Sequence, residues 1–165
     1  MTHLDEHFFS DTYEIARDRF RQMIHERQGE LSSHELVARS PSGDPLTIDV
    51  GRLGPRDAER ALIISSGTHG VEGFFGSAVQ LATLHRCANH ELPPQVALIL
   101  IHAVNPFGFA HLRRVNEDNI DLNRNFMSKG DPYEGADPGY AMMDPLLNPK
   151  TPPRKLEFFL GRALT

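Results

Sequence analysis

Tyr13, Ala16, Phe20, Met23 and Ile24 recur at intervals of three and four, which predicts an amphipathic helix with one apolar stripe. Asp11 and Glu14 form a capping-box-like start to it, and Gly29 is its stop. Residues 34–39 and 45–50 then flank the turn cluster Ser40-Pro41-Ser42-Gly43-Asp44-Pro45, and Leu46, Ile48 and Val50 alternate in the second run. That pattern predicts a hairpin. The run Ala61-Leu62-Ile63-Ile64 is continuously apolar between turn signals, as a strand buried on both faces would be. A helical segment follows from about Glu72 to Cys87, Pro93-Pro94 resets the chain, and Val96 to Ile101 form a second apolar run.

Strand, helix and strand across residues 61–101 make a βαβ unit, which implies parallel pairing and a right-handed crossover. The fold class expected is therefore α/β, with a mixed, largely parallel sheet flanked by helices. Ligands of such sheets sit beyond the carboxyl ends of the strands. Beyond Gly108 the periodicity fades. Residues 127–153 hold six of the twelve prolines and predict a long irregular loop, while Leu156, Phe158, Phe159 and Leu160 suggest a short helix. The whole of 1–165 is expected to be a single domain, with an amino-terminal helix to about residue 30 and a motif-bearing core over about 60–126.

Composition narrows the function without naming it. The chain is 39% hydrophobic and 24% charged, with a formal charge of −5, so there is no cationic excess to neutralise nucleic acid phosphates. Its one cysteine, Cys87, excludes an intrachain disulfide and is expected to be a buried, inert thiol. No apolar run reaches the length of about 20 residues that a membrane span needs, and Met1–Ser10 has no apolar signal-like core. A cytoplasmic location and no membrane partner are the expectation.

Candidate chemistry lies in Ser65-Ser66-Gly67-Thr68-His69-Gly70-Val71-Glu72-Gly73. An imidazole and a carboxylate three residues apart are common zinc donors. Spacing alone is weak: nine His and 22 acidic residues among 165 yield about one such pair by chance, and His3-Leu4-Asp5-Glu6 is one. Position separates the two, because His69 and Glu72 follow a buried strand whereas His3 and Glu6 lie in a terminal tail. Glycines 67, 70, 73 and 76 match neither the dinucleotide nor the phosphate-loop pattern, and Glu72 would repel an anion held there. A metal pair and a helix start merely served by glycines both remain open on this segment. A second polar segment, Arg113-Arg114-Val115-Asn116 through Asp121-Leu122-Asn123-Arg124-Asn125-Phe126, follows the next strand and comes to the same sheet edge. Arginine and asparagine there suit recognition of a carboxylate.

Three motifs in order, His69-Gly70-Val71-Glu72, Asn105-Pro106-x-Gly108 and Asp121-Leu122-Asn123-Arg124-Asn125-Phe126, resemble the zinc carboxypeptidase superfamily. The wider stretch Ser66–Gly73 with Gly76-Ser77-Ala78-Val79-Gln80 is most similar to a bacterial branch catalogued as a domain of unknown function. The resemblance implies one zinc ion held by His69 and Glu72, and Asp121 hydrogen-bonded to the distal nitrogen of His69. It implies Asn123 and Arg124 on the substrate's terminal carboxylate, and Arg114 steadying the oxyanion, with Arg113 as the adjacent alternative. The activity implied is hydrolysis of a peptide or amide bond beside a free carboxylate. An N-acyl-amino-acid deacylase of the aspartoacylase and desuccinylase kind is the second reading, and an inactive remnant that binds a carboxylate or a partner is the third.

The family's third ligand, a later histidine, and its later glutamate base are expected beyond residue 165. No histidine follows His111, and Glu134 and Glu157 lack the base's context. His102 is expected to be a structural or rim histidine and His111 a loop histidine, with His7, His25, His34, His85 and His90 on the surface. The chain then corresponds to the amino-terminal half of the enzyme, as a fragment, a split product completed by another chain, or part of a longer protein. Weak zinc binding, poor catalysis, and uncovered edges prone to self-association would follow.

Overall fold

The computed structural model describes residues 6–87, 92–125, 129–130 and 138–147. Helix α1 (Tyr13–Glu26) buries Tyr13, Ala16, Phe20 and Ile24, the stripe expected from the spacing. Its N-cap is Thr12, whose hydroxyl accepts from the Ile15 N–H at 3.2 Å. Asp11 therefore lies one residue outside the cap position assigned to it from the sequence. A hydroxyl and a carboxylate side by side can each serve, and the backbone of Thr12 is the one that is extended here.

Strands β1 (Glu30–Arg39) and β2 (Pro45–Leu53) form the expected hairpin, longer at its open end than the alternation implied. Strand β3 (Arg60–Ser65), helix α2 (Gly73–Cys87) and strand β4 (Val96–His102) form the expected unit, with β3 and β4 parallel from Arg60↔Val96 to Ser65↔Ile101. β4 also pairs antiparallel with β2, so the sheet is mixed, in the order β1-β2-β4-β3. The α/β class and the mixed sheet hold, but among the described residues two of the three strand pairings are antiparallel, so the sheet is not largely parallel: the hairpin joins the βαβ unit through β2 and β4.

Helices α1 and α2 lie on one sheet face. Phe20 and Ile24 of α1 and Leu84 of α2 pack on Leu98 and Leu100 of β4. Gly51 of β2 makes this close approach possible, since a Cβ there would fall 2.3 Å from Ile24 Cδ1. A second cluster, Tyr13, Ala16, Leu46, Ala103 and Phe109, carries the core to the strand ends. Cys87 is half-buried rather than buried as expected, and packs against the Phe20 cluster.

β3 departs from expectation. It is an edge strand, and Leu62 and Ile63 are 56% and 59% exposed although they point to opposite faces. Continuous apolarity records what a strand can be buried against; among the described residues only Ile64 of this strand is partly covered, against the Phe20 and Leu84 cluster.

Residues Met1–Phe126 and Met127–Thr165 form two separately compact units. In the second, α4 (Pro138–Leu147) occupies part of the stretch expected to be irregular. Pro138 opens the helix, where a missing N–H costs nothing, and Pro145 lies inside it near its end, so proline density misled there. The segment 156–160, with its suggested helix, lies outside the described residues. No helix among the described residues is long and apolar enough to cross a membrane.

Candidate metal centre

The loops leaving β3 and β4 are laced together past the end of the ladder. Ser66 N–H donates to the Ile101 carbonyl at 3.0 Å, Val104 N–H to Ser66 at 2.8 Å, and Asn105 N–H to Gly67 at 2.9 Å. Gly67 takes the left-handed conformation (φ 65°) that a side chain would oppose. His69 is extended, and Gly70–Glu72 then make one 3-10 turn ahead of α2. Gly70 lies against the short helix α3 (Pro106–Ala110): a Cβ there would meet the Gly108 carbonyl carbon at 1.8 Å. Only glycine allows that contact.

This turn brings His69 Nδ1 to 3.1 Å from Glu72 Oε1. On the other side of the ring, Nε2 lies 3.0 Å from Asp121 Oδ1, across 52 residues of sequence. Asp121 is held in place by three donors. Besides His69, the Asn123 N–H reaches Oδ1 at 2.9 Å and Arg114 Nε reaches Oδ2 at 3.0 Å. Desolvation raises the Asp121 pKa, but the hydrogen bonds from Arg114, His69 and Asn123 outweigh it and leave the carboxyl at about 2. Asp121 is thus ionised at neutral pH and accepts only, so Nε2 carries the proton that it receives. Nδ1 then faces Glu72, across an edge that a shared proton or a cation can close.

The geometry suits a metal. Two ligands about 2.0–2.1 Å from a tetrahedral zinc lie about 3.3 Å apart, close to the Nδ1–Oε1 separation here. His69 is buried while the Glu72 side chain is 69% exposed, so one donor is rigid and the other opens to solvent. Among the described residues no group of three His, Cys, Asp or Glu side chains is placed to hold a metal.

The second loop is built by asparagines. Asn105 caps α3 with its side chain accepting from Gly108 N–H at 2.8 Å, while its amide donates to the Arg114 carbonyl at 3.4 Å. Pro106 occupies the first turn of that helix. Asn116 Oδ1 accepts from the Asp118 and Ile120 N–H groups at 3.1 and 2.8 Å and folds the chain into Asp121. The role of Asn105 escaped the sequence reading, although an Asn-Pro pair after a strand is a recognisable helix start.

His69, Glu72, Asp121 and Arg114 therefore join in one hydrogen-bonded chain. Asn123 and Arg124 sit exposed on the following 3-10 turn, with Arg124 Nη1 donating to the Asn123 carbonyl at 3.1 Å. Arg113 turns away: it binds Asn119 Oδ1 at 3.0 Å and lies 6.0 Å over the Phe107 ring. His102 is buried in the helix-covered face, with Nε2 3.2 Å from Ser77 Oγ and its ring stacked on Phe20 at 4.9 Å. His111 Nε2 meets the Arg39 carbonyl at 2.9 Å. Phe126, Glu134 and Glu157 lie outside the described residues.

The sequence matches the family described as "Protein of unknown function (DUF2817)" over residues 9–163. The chain belongs to the DUF2817 family. No curated protein matches it. Among solved structures, bovine thrombin-activatable fibrinolysis inhibitor, in complex with tick carboxypeptidase inhibitor, is 19% identical with a TM-score of 0.53 over 73% of this chain and 44% of its own. A provisionally assigned carboxypeptidase A from Shewanella denitrificans OS-217 is 16% identical, with a TM-score of 0.51 over 73% of this chain and 33% of its own. This DUF2817 chain has a carboxypeptidase-like fold, and it spans less than half the length of either solved structure.

Proposed function

We propose that this DUF2817 chain is the donor-bearing part of a zinc-dependent hydrolase that cleaves a peptide or amide bond next to a free carboxylate. One observation carries the reading: His69 Nδ1 and Glu72 Oε1 converge at 3.1 Å while Asp121 holds the opposite nitrogen at 3.0 Å. A carboxylate on the far nitrogen fixes the tautomer and makes the imidazole a better donor. His69 and Glu72 would hold the metal, which when bound polarises a carbonyl and lowers the pKa of its water toward about 7.

The remaining steps belong to the chain's own residues. Arg114 neutralises Asp121 and lies half-exposed, within the same hydrogen-bonded chain as the donor pair. A guanidinium there can turn its free N–H groups to a developing oxyanion while its Nε stays on Asp121. Asn123 and Arg124, exposed on the adjoining turn, present an amide and a fork of donors suited to the substrate carboxylate. The third donor and the general base would come from polypeptide that completes the domain, in the same chain or a partner. A cytoplasmic setting is part of the same proposal.

Zinc binding tests it. The 165-residue chain, prepared without chelators, should shift its His69 imidazole signals in NMR on zinc titration and saturate at one equivalent. His69→Ala should abolish the saturable site, and Glu72→Ala should weaken it about tenfold or more. Equal zinc binding by wild type and His69→Ala would sink the metal reading. For the completed enzyme, acyl dipeptides with a free carboxyl terminus should be cleaved and their carboxamides spared.

A further inference from the structure

Gln80 is fully buried on α2, among apolar neighbours, and its hydrogen bonds all go to the far ends of β3 and β4. Nε2 donates to the Ile64 and Ile101 carbonyls, each at 3.0 Å, and Oε1 accepts from Ser66 Oγ at 3.0 Å. Ile64 and Ile101 are the penultimate residues of the two parallel strands, and Ser66 is the first of the loop that carries His69. Helix α2 reaches them because residue 76 is glycine: a Cβ there would lie 2.8 Å from Ser66 Cβ. Ile101 O also accepts from Ser66 N–H, so one carbonyl is shared between the side chain and the loop.

We propose that Gln80 is a positioning residue for the donor pair, a neutral clamp that sets how the His69–Glu72 loop leaves β3 relative to the Asn105–Asp121 segment after β4. The inference rests on the metal reading for its consequence but not for its geometry. Between two strand-end carbonyls and a hydroxyl, the side chain must supply two donors and one acceptor without a buried charge. Glutamine does so. Methionine, of similar size, would leave the Ile64 carbonyl and Ser66 hydroxyl without this partner, and glutamate would set a carboxylate against two carbonyl oxygens.

The clamp acts on His69 through three residues of loop. Ser66 is fixed by Gln80 on its side chain and by Ile101 and Val104 on its backbone. Gly67 carries the next backbone bond, to Asn105. With the clamp gone, the strand ends can splay, and the His69 Nε2–Asp121 bond, which joins the two loops, must take up the difference.

The experiment compares Gln80→Met and the milder Ser66→Ala with wild type and with Leu84→Ala, which empties a buried position on the same helix away from the strand ends. Each is prepared as the full 165-residue chain at a temperature where it is folded. Zinc affinity should fall about tenfold or more in Gln80→Met, less in Ser66→Ala, and stay unchanged in Leu84→Ala. Independently of metal, hydrogen exchange at the Ser66, Val104 and Asn105 amides should quicken relative to central β4 amides in Gln80→Met and Ser66→Ala only. If the donor-pair reading fails, wild type and His69→Ala bind zinc alike, and the exchange data alone decide the clamp. Exchange ratios in both clamp variants matching those of Leu84→Ala overturn it. So does undiminished zinc affinity in folded Gln80→Met and Ser66→Ala when wild type binds through His69.

Discussion

His102 shows what burial does to one titratable side chain. It stacks on Phe20 and meets Ser77, with Asp49 opposite it on β2 and Arg21 bound to that aspartate at 2.7 Å. Burial pushes the imidazole down; Asp49 opposes this, Arg21 and Arg17 add to it, and the pKa settles at about 4. Unfolded, the group titrates near 6.5. Between those values the unfolded chain binds a proton that the folded chain does not, so stability is full above pH 6.5 and falls as the pH drops. The loss is up to about 1.4 kcal/mol per pH unit, or about 2 kcal/mol between pH 6.5 and 5. Urea unfolding of wild type and His102→Gln across that range should show the wild type losing more stability by that margin; parallel profiles would refute the assignment. The sequence offered His102 as structural and could not set its pKa, because Phe20 and Ser77 come from two separate helices. By contrast, His69, Glu72 and Asp121 were legible as a set. Motif order carried that information, whereas the Arg114–Asp121 bond could be seen only once the loop was folded.

At the scale of elements, the donor turn is placed by contact between two backbones. Gly70 and Gly108 touch so closely that a methyl on Gly70 would fall inside the neighbouring carbonyl group. Gly70→Ala should therefore cost about 1–3 kcal/mol in urea unfolding, the usual penalty of overpacking. Gly43, at φ 88° with nothing within 4 Å of its Cβ position, supplies the comparison. Gly43→Ala should cost only the conformational strain, about 1 kcal/mol. A Gly70→Ala penalty no greater than that of Gly43→Ala would mean the two turns are not packed as described. Helix α1, the hairpin and the βαβ unit were readable because their periods of 3.6 and 2 residues are local properties. The errors also have local causes: adjacent Asp11 and Thr12 compete for one cap, and Pro138 opens a helix where proline density suggested a loop.

At the scale of the whole sheet-bearing unit, Met1–Phe126, the decisive fact is a sheet with helices α1 and α2 on one face and β3 at its edge among the described residues. Leu62 and Ile63 on β3, both more than half exposed, offer apolar surface beside a backbone edge that no strand pairs among the described residues, a combination that favours association. Ile63→Lys should change folding stability by less than about 0.5 kcal/mol, since little contact is lost. It should also reduce concentration-dependent self-association in sedimentation velocity; unchanged association would place the sticky surface elsewhere. What the sequence by itself determined was the set of parts: α/β class, element order, and the grouping of His69, Glu72 and Asp121 with their neighbours. These are written in local periodicity and in short ordered motifs, which need no distant partner to be recognised. Only the tertiary structure decided that β3 is an edge among the described residues, that His102 is enclosed beneath the helices, that Arg114 rests on Asp121, and that Gln80 hydrogen-bonds the ends of two strands. Each of those depends on which side chains meet across tens of residues, and the identity of a residue does not say what will cover it.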